Sequence, residues 1–190
     1  MTQAGTLEDL QEVGAYLQGH FLLTTGRHSD TFFLLARLTE WPQRLIPWIE
    51  ILRERLGDIS ARTVVGPAVG GIIPAYQLAS TMGNARVLFA EKDTDGSMQF
   101  RRGFHLEPGE PVVIVEDAIT TGFSVGKVME AVQGQGGRVV AVGTLVNRSQ
   151  VPLPWDVPVA SVLQLTGVRN WAPDECPLCQ QGLPLTAPKR

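Results

Sequence analysis

The residues best suited to chemistry form one run, Glu116-Asp117-Ala118-Ile119-Thr120-Thr121-Gly122-Phe123-Ser124, directly after the apolar stretch Pro111-Val112-Val113-Ile114-Val115. Adjacent carboxylates at the end of such a stretch are not both core residues, since burying unpaired charge is expensive. The Thr-Thr-Gly-x-Ser behind them leads into a helical pattern. It aims hydroxyls and free backbone N–H groups at one spot, where the helix dipole favours an anion. An acidic pair beside an anion cradle suits a ligand with a sugar diol at one end and a phosphate at the other. A plain helix cap with two solvated acids is the competing reading. The coincidence of apolar run, acidic pair and turn weighs against it.

Such residues need a frame that ends several strands at one edge. Thr63-Val64-Val65, Arg86 to Ala90, Pro111 to Val115, Arg138 to Val142 and Val159 to Leu163 read as strands. Helical stretches lie between them, Ile72 to Met82 opened by Gly70-Gly71, and about Val125 to Gln133. Near-continuous β-branched runs imply strands covered on both faces, so the expected fold is α/β, an open, mostly parallel twisted sheet flanked by helices in a single domain. In such sheets ligands bind outside the carboxyl ends of the strands, where residues 116–124 fall. Upstream, Thr6 and Asp9 resemble a capping box, and Leu7, Leu10, Val13 and Leu17 predict a helix ended by Gly19-His20-Phe21. Residues 20–38 read as turn-rich. Trp41 to Leu56 reads as a helix with Pro42 near its start and Leu45, Trp48, Ile49, Leu52 and Leu56 on one face; Pro47 is expected to kink it or delay its start. Val151 to Pro158 is a proline-stiffened loop, and the last fifteen residues read as a tail.

Val112 to Gly122 resembles the phosphoribosyl-pyrophosphate (PRPP) signature of type I phosphoribosyltransferases. Phe21 to Phe33 is similar to the N-terminal segment of the orotate phosphoribosyltransferases within that family. Gly66-Pro67-Ala68-Val69-Gly70-Gly71-Ile72 resembles their pyrophosphate-side loop, and Leu145-Val146-Asn147-Arg148-Ser149 their base-binding segment. The matches run in family order from residue 20 to about 150. The resemblance implies a core at about 41–150, a hood from about 1–40 and 150–175, a C-terminal tail at 176–190, and a mobile loop. It implies that Glu116, Asp117, Ala118, Ile119, Thr120, Thr121, Gly122, Phe123 and Ser124 bind PRPP together with Lys92. Glu116, Asp117 and Lys92 would be catalytic, and Gly66, Gly70 and Gly71 would line the pyrophosphate side. Orotate would be held by Thr120, Arg148, Phe32 and Phe33, since a guanidinium fork matches a carboxylate. Mg²⁺ would be held mainly by PRPP and water, with no direct protein ligand. The implied assembly is a homodimer with the loop shared across subunits, in the cytoplasm. The alternatives are another base, such as a purine, or a non-catalytic PRPP-sensing regulator.

Lys92, Arg101 and Arg102 flank the polar stretch Asp93-Thr94-Asp95-Gly96-Ser97, a lid or a solvated hairpin. The family's second lid lysine and its histidine are missing, and Thr24 and Gly70 stand where lysines are expected; Arg27, Arg101 and Arg102 are the available substitutes. The remaining features are bland. Sixteen Lys+Arg against nineteen Asp+Glu give a net charge of −3, which argues against a nucleic-acid partner. No apolar run is long enough to span a membrane, and the acidic N-terminus does not resemble a signal peptide. Cys176-Pro177-Leu178-Cys179 is half of a zinc site that needs a second copy or a histidine from His20, His28 and His105, which show no metal-site spacing. A redox role is not expected, because the motif does not open a helix after a strand. Trp41, Trp48, Trp155 and Trp171 read as core or interface.

Overall fold

The computed structural model describes residues 2–23 and 25–188; Thr24, one of the two lysine-replacement positions, lies outside them. The N-terminal third contains α1 (Leu7–Glu12), β1 (Tyr16–Leu22), β2 (His28–Phe33), α2 (Ala36–Thr39) and α3 (Pro42–Leu56). Next come β3 (Thr63–Pro67), α4 (Ile72–Thr81), β4 (Arg86–Lys92), β5 (Met98–Phe100) and β6 (Pro111–Ile119). The chain continues through α5 (Phe123–Gly134), β7 (Arg138–Asn147), β8 (Val159–Gln164), β9 (Asn170–Trp171) and α6 (Pro177–Gln180).

Six strands form the main sheet in the order β5-β4-β3-β6-β7-β8, parallel throughout except for the antiparallel edge strand β5. Val64, Val65 and the run from Val112 to Val115 are fully buried, as strands covered on both faces must be. One core cluster joins the inner faces of α3 and α4 to this sheet through Trp48, Ile49, Leu52, Leu78, Val113 and Leu145. The second packs Val125, Val128 and Val132 of α5 against Val65, Ile114 and Val142. The five apolar residues predicted for one face of α3 are all buried, with Pro42 at its start and Pro47 inside it. A smaller antiparallel sheet, β1-β2-β9, stands apart from the main one. No helix among the described residues is long and apolar enough to cross a membrane.

Three expectations change. The first helix stops at Glu12, because Gly14 takes φ +73°; Leu17 therefore lies on β1, while Thr6 does accept from the Asp9 N–H at 3.2 Å. The turn-rich stretch at 20–38 is largely the end of β1 and the whole of β2, joined across a turn with Gly26 at φ +77°. Residues 176–188 are docked rather than a free tail. The Leu22 N–H donates to the Thr186 carbonyl at 2.8 Å, and the Thr186 N–H donates to the His20 carbonyl at 2.9 Å. The C-x-x-C stretch opens a short helix with Cys176 as the N-cap of α6, but that helix follows a 3-10 turn at Pro173–Glu175 and not a strand.

Candidate functional site

Strands β3, β6 and β7 run parallel and end at one edge of the main sheet. β6 stays paired to β7 through Glu116 opposite Thr144 and Ile119 opposite Asn147, so the acidic pair lies within the strand. Successive side chains alternate faces, and this separates the two acids: Glu116 is buried and Asp117 is half-buried. Burial, and then the charge of Asp117, push the Glu116 carboxyl up to about 9, so it carries a proton at neutral pH. Asp117 Oδ1 accepts from the Ala118 N–H at 2.7 Å, which fixes its carboxylate.

Against Asp117 stands the loop from β3 into α4. A methyl group on Gly70 would lie 2.7 Å from Asp117 Oδ2, one on Gly66 2.2 Å from the Gly71 carbonyl oxygen, and one on Gly71 2.7 Å from the Val115 carbonyl oxygen. Gly71 lets this loop approach the β6 backbone, Gly70 makes room for the Asp117 carboxylate, and Gly66 lets the loop fold back on Gly71. The Ala68–Val69 peptide within it is cis.

Past Ile119 the chain turns through Thr120 and Thr121, both exposed, to Gly122, the left-handed N-cap of α5 at φ +79°. The Gly126 N–H closes the first helical bond to the Gly122 carbonyl at 2.8 Å, so the earlier first-turn N–H groups have no intrahelical acceptor, that of Phe123 donating to Thr121 Oγ1 at 3.4 Å. Glu116 and residues 118–125 line a small cradle of ≈ 40 Å³. Against Gly122 packs the proline-stiffened loop, where Leu153 and the Trp155 indole sit 3.0 Å and 2.8 Å from where a Gly122 methyl would be. Sequence reading missed this packing, because a tryptophan among prolines carries no periodic signal.

Arg148 follows β7, its N–H donating to the Ile119 carbonyl at 2.8 Å, which sets it beside Thr120. Its guanidinium carbon lies 4.4 Å from the centroid of the Phe33 ring, and Tyr16 packs against Phe33 at 5.0 Å. Arg148 Nε is buried with no hydrogen-bond partner among the described residues. Burial pulls this guanidinium below the ordinary arginine range. Phe32 faces the other way, 5.6 Å from Phe21, and it is Phe33 of the pair that stacks on Arg148. A larger cavity of ≈ 890 Å³ lies on the smaller sheet against Tyr16, Thr31 and Phe33. Its walls are mainly apolar, and the cradle is the better place for a phosphate.

The candidate lid is the β4–β5 hairpin, with Lys92 opposite Met98. Met98, Phe100 and Phe104 anchor its base in the second core cluster, and the tip at 93–97 is polar. Arg101 pairs with Asp93 at 3.1 Å and Arg102 with Glu91 at 3.0 Å, while exposed Lys92 has no ion pair among the described residues. Arg27 is also engaged, donating from Nη2 to the Asn170 carbonyl at 3.1 Å. The three substitute cations are thus held by the protein itself or by the small sheet. Away from this edge, folding gathers His20, His28, Cys176 and Cys179. Their separation in sequence hid this; the β1–β2 hairpin and the docked C-terminal segment create it.

Residues 35–180 match the family model of the phosphoribosyl transferase domain. The orotate phosphoribosyltransferase of Caldanaerobacter subterraneus subsp. tengcongensis is 40% identical over 188 residues, 99% of this chain and 97% of its own. That of Pelotomaculum thermopropionicum is 43% identical over the same shares of both chains. Among solved structures, the orotate phosphoribosyltransferase from Aeropyrum pernix superposes with a TM-score of 0.70 at 26% identity, covering 83% of this chain and 92% of that one.

Proposed function

The chain belongs to the orotate phosphoribosyltransferases within the phosphoribosyl transferase domain family, and we propose from that premise that it transfers the phosphoribosyl group of PRPP to orotate, giving orotidine 5′-monophosphate and pyrophosphate in pyrimidine synthesis. The observation that carries the choice of base is Arg148, a half-buried guanidinium stacked on Phe33 with its Nε unpartnered among the described residues. A cation held that way calls for a flat ring bearing an anion. Orotate is such a ring.

In the transfer, a ring nitrogen of orotate forms a bond to the anomeric carbon as the bond to pyrophosphate oxygen breaks, and the nitrogen's proton is released. The reaction passes through a ribosyl cation-like state, so the protein must hold the reactants in line and complement opposite developing charges. Thr120, Thr121, Ser124 and the first-turn N–H groups of α5 grip the 5′-phosphate. Glu116 and Asp117 bind the ribose hydroxyls, and the Asp117 charge stabilises the cationic ring. Arg148 and Phe33 fix the base, with Thr120 beside them. The loop at Gly66, Gly70 and Gly71 brings backbone amides to the pyrophosphate side, and Lys92 supplies a cation there when the hairpin tip closes.

Mg²⁺ fits this edge. The half-exposed Asp117 carboxylate, next to a glycine loop that puts no side chain between, is a hard oxygen donor set to support an ion held mostly by PRPP and water. When bound it neutralises charge on the pyrophosphate oxygens. The enzyme works as a homodimer in the cytoplasm, with small anionic substrates and no nucleic-acid or membrane partner. The test is an absorbance assay of orotate consumption with PRPP and Mg²⁺, run beside uracil, adenine and hypoxanthine. Turnover is expected with orotate alone. Turnover of a purine without orotate, or PRPP binding with no pyrophosphate released from any base, overturns the proposal.

A further inference from the structure

His20, His28, Cys176 and Cys179 present one ligand atom each, and all four atoms lie within 4.8 Å of one another. His20 Nε2 stands 3.1 Å from His28 Nδ1, 3.5 Å from Cys176 Sγ and 3.6 Å from Cys179 Sγ, and Cys179 Sγ lies 3.3 Å from His28 Nδ1. Zinc bonds of about 2.0–2.1 Å to nitrogen and 2.3 Å to sulfur at tetrahedral angles place N–N pairs about 3.3 Å apart and N–S pairs about 3.6 Å apart. The observed spacings lie within about 0.3 Å of those values. His20, His28 and Cys176 are buried, so the donors are gathered inside the protein.

The surroundings fix the right nitrogen. His20 Nδ1 contacts the Leu183 carbonyl at 2.9 Å, and a carbonyl can only accept, so Nδ1 carries the proton and Nε2 turns its lone pair inward. A ring nitrogen tied to a carbonyl while the other faces the cluster is the outer-shell arrangement of metal-binding histidines. The backbone prepares this as well. The β1–β2 register slips by one residue between Gln18 and Phe21, and His28 pairs with Leu22. His20, two residues before Leu22, therefore shares its face and becomes a diagonal neighbour of His28. The cysteines arrive on the opposite side from the N-cap and the third residue of α6.

We propose that these four residues form a closed, structural His₂Cys₂ zinc site that clips the C-terminal segment onto the β1–β2 hairpin. Four protein ligands leave no open position, so the ion is not catalytic. His28 begins the strand that ends at Phe33, about 16 Å away at the usual rise per residue. The clip thus anchors the far end of the strand that carries the base-stacking ring. Exposed His105, near Glu107, is not part of it.

The experiment uses the full-length, untagged chain and measures zinc by elemental analysis and native mass spectrometry, then replaces zinc with cobalt(II). Expected are about one metal per chain, tetrahedral d–d absorption in the visible and a thiolate-to-cobalt charge-transfer band. Cys179→Ser should lower that band by about half, as one of two thiolates is lost, and His105→Gln should leave it unchanged. Zinc below about a tenth of an equivalent after expression in zinc-supplemented medium, with no cobalt uptake, overturns the proposal. So does half an equivalent per chain, which would mean a site shared between copies, or metal binding that survives replacing both cysteines with serine. The wild-type cobalt spectrum decides the matter even if a ligand variant fails to fold. None of these readouts depends on phosphoribosyl transfer.

Discussion

At the scale of single residues, the site separates cost from function. Arg148 keeps a positive charge partly out of water on the Phe33 face without a full set of partners, an arrangement that costs stability until an anion arrives. Arg148→Ala is therefore expected to raise the orotate KM strongly with little change for PRPP. The loss in kcat/KM should be about 2–4 kcal/mol, roughly 30- to 1000-fold, as for one half of a buried charged pair. Its melting temperature should not fall. Equal losses for both substrates in steady-state kinetics would refute the assignment. Glu116 gives a pH prediction. Its folded carboxyl, pushed up to about 9 by burial and by Asp117, lies above its unfolded value. The folded state therefore holds more protons than the unfolded state between those two values. Its contribution to stability is complete below the unfolded pKa and is lost as pH rises through the folded one, with a slope of up to about 1.4 kcal/mol per pH unit. Glu116→Gln should flatten the melting temperature between pH 5 and 9, where the parent declines; parallel curves in calorimetry would refute it.

At the scale of elements, one junction shapes the candidate site and another holds the core. Gly122 starts α5 at φ +79°, with the Trp155 indole where a methyl would go. Gly122→Ala should cost about 1–2 kcal/mol in backbone strain alone, displace Trp155 and weaken PRPP binding more than orotate binding. Isothermal titration with each substrate would reveal it, and unchanged PRPP affinity would contradict the cradle. The second junction joins α1 to α3. Buried Asp9 accepts from Trp48 Nε1 at 2.6 Å and from Arg44 Nη1 at 3.2 Å. Asp9→Ala strands an indole N–H in the core, and chemical denaturation should show a loss of about 2–4 kcal/mol. These elements differ in how clearly the sequence announced them. α3 and the central strands were legible because burial on one or both faces forces a repeating apolar pattern. The β1–β2 hairpin was obscured because Leu17 fell in phase with the helix before it, and only Gly14 breaks that phase. Glu116 to Ser124 could be read as a candidate site because charge at the end of an apolar strand has no structural use. Trp155 could not, and the His–Cys cluster only as its Cys176-x-x-Cys179 half with three candidate histidines, since tertiary packing alone gives them their neighbours.

At the scale of the whole molecule, the remaining question is where the cations for the leaving pyrophosphate come from. Within one chain the candidates are mostly spent: Arg101 and Arg102 pair with Asp93 and Glu91, and Arg27 holds Asn170. Gly70 cannot simply take back a lysine, since its first side-chain carbon would press on the Asp117 carboxylate that Ala118 holds in place. Lys92, exposed at the root of the polar hairpin tip, is the cation left to act. If two chains share their hairpins, each site takes its acidic pair from one copy and its lysine from the other. Lys92→Ala and Asp117→Asn should each be nearly inactive alone. After unfolding and refolding together in equal amounts, half the dimers should be mixed. Each mixed dimer then holds one site with both residues intact and one with neither, so about a quarter of the parent activity returns. A site built from a single chain predicts no recovery, because every site then carries one of the two defects. The recovered activity, measured against the mixing ratio, therefore separates a shared hairpin from one that closes over its own site.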